Sequence, residues 1–100
     1  MTYRVTVKTL QTLVATLNTV VGNPVDPYRR DADDRLVAIP GVYVLDCAYG
    51  GYRLAQMVSE TGGERNITPR YGAAITADLI RAYMQGLHDA RHVLYSAKAA

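Results

Sequence analysis

The chain has 100 residues, a formal net charge of +2, 49% apolar and 20% charged residues. That length suits one domain, residues 1–100, and is short for two, and the balance is that of a globular rather than a disordered chain. No apolar run is long enough to span a membrane, and the start, MTYRVTVKTLQ, lacks the apolar stretch of a signal peptide. The single cysteine, Cys47, excludes an intramolecular disulfide, so the chain reads as soluble and cytoplasmic. The eight aromatic residues are all Tyr, so the core must rest on Val, Leu, Ile and Ala, and some tyrosines are left for the surface.

Residues 1–5 read as an extended N-terminus, with the alternation Tyr3, Val5, Val7 as a competing strand signal. A helix is predicted over 7–22, because Val7, Leu10, Val14, Leu17 and Val21 recur at steps of three and four, with Leu13 and Val20 widening the stripe. Thr6 is its N-cap, and Gly22-Asn23-Pro24 stops it. Thr9, Thr12, Thr16 and Thr19 form a second stripe, read as a solvated flank. Residues 23–34 read as a loop, since Pro24 and Pro27 bar a helix and the charges of Arg29, Arg30, Asp31, Asp33 and Asp34 neutralise one another.

Three strand signals follow: Arg35–Ile39 and Val42–Cys47 around the turn Pro40-Gly41, then Tyr52–Ser59 after the turn Gly50-Gly51. Short connections predict an antiparallel meander. Residues 60–67 read as a polar connection turning at Gly62-Gly63. Thr68-Pro69 is a plausible helix opening and Thr76 a second cap. The main C-terminal helix then runs from about Thr76 to Tyr95, with Leu79, Ile80, Tyr83, Met84, Leu87 and Leu94 as its apolar face. Gly86 weakens that pattern, which close packing or a kink would explain. Residues 96–100 are expected to fray.

The order α-β-β-β-α predicts an α+β fold: a three-stranded antiparallel meander with both helices packed on one face. In that arrangement Leu10, Val14 and Leu17 meet Leu79, Tyr83 and Leu87.

The candidate sites are few. Tyr49-Gly50-Gly51-Tyr52 combines permissive backbone with flat amphipathic side chains, suited to stacking a base or anchoring a protein; a hairpin whose tyrosines cover the core edge is the plainer reading. His88 and His92 share a helix face at i and i+4 but lack a third ligand, so no metal or cofactor is expected. Cys47 has no activating motif around it and reads as a small core residue, with Asp46 beside it facing solvent. With no catalytic constellation, the chain does not read as an enzyme. Arg29, Arg30, Arg53, Arg65 and Arg70, with Tyr28, Tyr49, Tyr52 and Tyr71, come from loops and strand ends that could converge. Such an Arg/Tyr surface suits a protein interface, with another protein or a second copy of the chain. It also suits single-stranded nucleic acid, although the acidic run 31–34 interrupts a basic groove. The predicted binding surface is therefore Tyr28, Arg29, Arg30, Tyr49, Gly50, Gly51, Tyr52, Arg53, Arg70 and Tyr71.

Leu10, Leu17 and Asn18 ahead of Gly22-Asn23-Pro24 resemble a group of small proteins encoded by tailed bacteriophages and prophages. The resemblance continues through Tyr43-Val44-Leu45-Asp46 and Ala48-Tyr49-Gly50-Gly51-Tyr52-Arg53-Leu54, then Gly62-Gly63 and Met84-Gln85-Gly86-Leu87. It spans most of the chain, with 48–54 its distinctive part, and implies a phage or prophage origin without supplying a mechanism. The element order also looks like that of the double-stranded RNA-binding domain. The stretch Thr68–Ala74, however, offers one Arg and no Lys where that family clamps phosphates, so the likeness is one of topology. The reading of function is a non-enzymatic phage or prophage accessory protein that binds another protein, modulation of a host or defence factor being one form of this; a small nucleic-acid-binding domain is the alternative.

Overall fold

The computed structural model describes residues 4–99, with side chains as far as His92. Its elements are α1 (Val7–Val21), β1 (Tyr28–Arg30), β2 (Leu36–Ala38), β3 (Tyr43–Ala48), β4 (Gly51–Met57), β5 (Glu64–Asn66) and α2 (Ala73–Ala99). This is an α+β fold, as its periodicities predict.

α1 begins and ends where its sequence says. The Thr6 hydroxyl accepts from Thr9 N at 3.3 Å while Thr9 Oγ1 accepts from Thr6 N at 3.5 Å, a capping box with threonine in the role usually taken by Glu or Gln. Gly22 closes the helix in the left-handed region at φ 83°, its N–H reaching the Asn18 and Thr19 carbonyls. Leu10, Val14 and Leu17 are buried. Thr12, Thr16 and Thr19 are exposed, and their hydroxyls donate to the carbonyls of Lys8, Thr12 and Ala15. Tyr3 lies outside the described residues, and Arg4–Thr6 form no strand.

The strands differ from the predicted meander. The three-stranded sheet has the order β3-β4-β5, and β1 and β2 form a separate antiparallel ribbon. The segment 35–39 therefore does not pair with 42–47. The reason is Asn18, buried at the end of α1. Its Oδ1 accepts from Tyr43 N at 2.8 Å and its Nδ2 donates to Tyr43 O at 2.9 Å, so an amide side chain occupies the edge that a preceding strand would need. β2 pairs instead with Tyr28–Arg30, inside the predicted loop. β5 likewise lies inside the predicted polar connection, returned by Gly62 at φ 94°. The β3–β4 turn is Tyr49-Gly50 rather than Gly50-Gly51, since Ala48 pairs with Gly51.

α2 starts at Ala73, not Thr76, and continues to Ala99, past the predicted end near Tyr95. Ser96-Ala97-Lys98-Ala99 holds no helix breaker, which lets the last turn form. Pro69 stays in the connection before it. The packed face is Ala73, Ala77, Ile80, Tyr83, Met84 and Leu87, which meets Leu10, Val14 and Leu17 over Tyr43, Leu45 and Leu54 of the sheet. Both helices thus cover one face. Leu79, predicted in the contact, falls beside this stripe, and Leu94 lies beyond the described side chains. Gly86 is exposed, and a Cβ there would meet nothing within 4 Å, so close packing does not explain it.

Candidate functional site: a clasped hairpin with an exposed tip

The most unusual backbone of the molecule sits at the tip of the β3–β4 hairpin. Two residues connect the strands, Tyr49 at φ 53° and Gly50 at φ 71°. Two consecutive positive φ values make this a type I′ turn, whose twist matches the strands. Glycine adopts the second position freely. Tyrosine does not suit the first, where Asn, Asp or Gly is the stable choice and a bulky side chain crowds its own carbonyl. Tyr49 is also 100% exposed. Nothing in the fold compensates its conformation through burial.

Behind the tip the hairpin is tied down. Asp46 and Arg53 are cross-strand partners, and Arg53 Nε donates to Asp46 Oδ2 at 2.6 Å. Arg70 reaches the same oxygen through Nη2 at 3.1 Å, while its Nη1 lies 3.3 Å from the carbonyls of Asp46, Ala48 and Gly51. One guanidinium therefore binds both strands at the end of the hairpin. Gly51 makes room for it. A Cβ there would lie 2.8 Å from Arg70 Cγ and 3.3 Å from Tyr71 O. Burial pushes the Asp46 carboxyl up, but hydrogen bonds and charge from Arg53, then Arg70, outweigh it and hold the group below its usual range. Asp46 is thus half-buried at 23% side-chain exposure and ion-paired, not solvent-facing as predicted.

The connection to α2 adds further ties. Tyr52 and Tyr71 exchange both backbone hydrogen bonds, at 2.8 and 2.9 Å. Thr68 Oγ1 accepts from Leu54 N at 3.1 Å and donates to Pro69 O. The fully buried Thr76 hydroxyl lies within 2.9–3.3 Å of the carbonyls of Gly72, Tyr52 and Tyr71. Thr76 is a pin between α2 and β4, not a cap.

The predicted Arg/Tyr surface does not form as one patch. Tyr49, Gly50 and Tyr71 share the hairpin end, Tyr71 being 42% exposed. Tyr52 packs against the core. Gly51, Arg53 and Arg70 belong to the clasp, and a single Arg in a loop carries no sequence signal of such a role. Tyr28, Arg29 and Arg30 stand on β1, all three exposed, with Arg29 paired to Glu60 and Arg30 to Asp34. Arg65 donates to Gln56.

Cys47 is exposed, contrary to the predicted core position. It lies on β3, which is the edge strand beside α1, and lines a groove there of about 480 Å³. His88 and His92 are both exposed on α2, and no group of three or more His, Cys, Asp or Glu side chains gathers as a metal site among the described residues. Among the described residues no helix is long and apolar enough to cross a membrane. Comparison with known proteins finds no matching family model, no similar curated protein and no similar solved structure.

Proposed function

We propose that this chain is a non-enzymatic accessory protein, of phage or prophage origin by its sequence resemblance, that acts in the cytoplasm by binding another protein through the tip of the β3–β4 hairpin. The observation that carries the reading is Tyr49: fully exposed, and held at φ 53° in a turn position where Asn would be more stable. A residue kept in an unfavourable conformation that contributes nothing to the core points to use at the surface. Tyrosine is an effective anchor, because it offers large contact area at small conformational-entropy cost. The Arg70 clasp and the Tyr52–Tyr71 bridge support the same reading, since a tip that is rigid before binding loses little entropy on contact.

A protein partner is favoured over nucleic acid by the state of the arginines. Arg29, Arg30, Arg53 and Arg70 each face a carboxylate of this chain, so they offer phosphates little unbalanced charge.

The test is affinity capture from bacterial lysate with the wild-type chain and with Tyr49→Asn. The Asn variant should melt higher, because it suits the I′ turn. A protein retained by the wild type and lost from this more stable variant is the expected result. Identical retention by both, or recovery of nucleic acid alone, removes the reading.

A further inference from the structure

The hairpin tip carries a charge as well as an aromatic ring. Arg29 and Arg30 each have a carboxylate of their own, Glu60 and Asp34. Arg53 and Arg70 have one between them, because both bind Asp46 Oδ2. The clasp is therefore one positive charge in excess. No other carboxylate pairs with either arginine among the described residues. Glu64 lies at the far end of β4, opposite Met57, and the first turn of α2 holds no acidic residue. Asp78, on the next turn of α2, pairs with Arg81.

The position of the excess charge is fixed. Arg70 Nη1 lies 3.3 Å from the carbonyls of Ala48 and Gly51, the two residues that flank the Tyr49-Gly50 turn. The guanidinium thus sits at the base of the tip, against the peptide that joins Ala48 to Tyr49. Solvent reaches both arginines, whose side chains are 28% exposed for Arg53 and 24% for Arg70. Arg53 bonds Asp46 through Nε and Nη2, and its Nη1 has no hydrogen-bond partner among the described residues.

A fixed cation beside an exposed tyrosine restricts what can dock. A partner segment that covers the Tyr49 ring with apolar side chains brings its adjacent residues to the guanidiniums. A basic residue there is repelled, an amide gains a hydrogen bond, and a carboxylate gains both the bond and the charge. One excess charge matches one carboxylate. A nucleic acid draws its affinity from a row of cations along its phosphates, and a single excess charge is no row. We infer that the tip takes an acidic peptide segment of its partner protein, with a glutamate or aspartate bound at Arg53 and Arg70 beside the apolar residues that cover Tyr49. This rests on the reading of Tyr49 as the anchor and adds the chemistry of what meets it. An exposed ion pair contributes up to about fivefold in affinity, so the charge selects among partners more than it holds them.

The experiment uses the full chain, isotope-labelled for amide spectra, and two peptides without terminal charges: acetyl-Gly-Phe-Glu-Leu-Gly-amide and the same peptide with glutamine for glutamate. The Tyr49 and Gly50 amide shifts should move saturably with both, and the glutamate peptide should bind roughly threefold tighter at low salt. Arg53→Gln cancels the excess charge and should abolish that preference. Asp46→Asn raises the excess to two and should widen it. Tyr49→Asn should weaken both peptides by the same factor. The peptide pair tests the wild type itself, so the result does not hinge on how either charge variant folds. Equal affinity of the two peptides for the wild type overturns the inference; if Tyr49→Asn then weakens both, the anchor reading stands alone. A glutamate preference that survives Tyr49→Asn at undiminished affinity removes the anchor reading and the inference with it. An oligothymidine that binds the tip more tightly than the glutamate peptide assigns the charge to phosphates and overturns it. So does the absence of saturable shifts up to the solubility limit of the peptides.

Discussion

Arg70 shows how much one side chain can organise. Its donors satisfy carbonyls on both strands of the hairpin, and its charge offsets Asp46 in a half-buried setting. Arg70→Lys keeps the charge and loses the fork, so it should lower stability in urea by roughly 1–3 kcal/mol. Gly51→Ala should cost a similar amount, because the new methyl displaces the root of the same side chain and not its mobile end. Equal urea midpoints for both variants and wild type would show the clasp to be idle. Tyr43 makes a prediction about pH. Its hydroxyl lies 2.8 Å from that of Tyr83, and burial, then this bond, push its pKa to about 12. The unfolded phenol titrates near 10. The folded chain therefore keeps a proton that the unfolded chain releases between those values. The associated stability is whole below pH 10 and is lost as pH rises through 12, in total roughly 2–3 kcal/mol. Chemical melts from pH 9 to 12 should show this decline, and Tyr43→Phe should flatten it.

At the scale of elements, the helices were legible and the short strands were not. α1 has a stripe of period 3.6 between a threonine cap and a glycine stop, and it forms between those bounds. Leu17, fully buried, should cost about 2–5 kcal/mol as Leu17→Ala. Thr12→Ala, on the exposed flank, should leave the thermal midpoint nearly unchanged or slightly raised. In α2 the exposed Gly86 has open space around it. Gly86→Ala should therefore raise stability by about 1 kcal/mol, and a lower midpoint in a thermal melt would reveal a role for the glycine that packing does not show. β1 and β5 escaped notice for a physical reason. Each has three residues, all exposed, so neither alternates between core and solvent, and their pairing rests on backbone bonds that composition does not record. The same is true of the site. Tyr49 and its turn stood out in the sequence, but the withdrawal of Arg53 and Arg70 into a clasp depends on Asp46 and Gly51 meeting them from elsewhere in the chain.

Taken whole, the molecule is flat, 48 × 47 × 21 Å, with a radius of gyration of 15.3 Å against roughly 13 Å for a compact chain of this length. Two features account for the excess. The β1–β2 ribbon lies outside the three-stranded sheet with every β1 residue exposed, and α2 has no buried side chain among its described residues beyond Leu87. Arg91 offers a tether for that distal part, donating to Val20 O where the carbonyls of α1 end. This shape leaves the hairpin tip, with Tyr49 fully exposed, accessible at one end of a small protein.

The packing of α1 on α2 also sets an order of assembly. The β3–β4 and β4–β5 turns join neighbours in sequence, whereas Leu10 and Leu17 find Ala77 and Ile80 only across about two thirds of the chain. Closing so long a loop is slower than closing a hairpin, so the sheet nucleates and the paired helices dock late. Tyr49→Asn should then quicken refolding in stopped-flow measurements and leave the unfolding rate almost untouched, while Leu17→Ala should act mainly by hastening unfolding. On this view the exposed tyrosine at the hairpin tip also slows the chain's first step toward its native form.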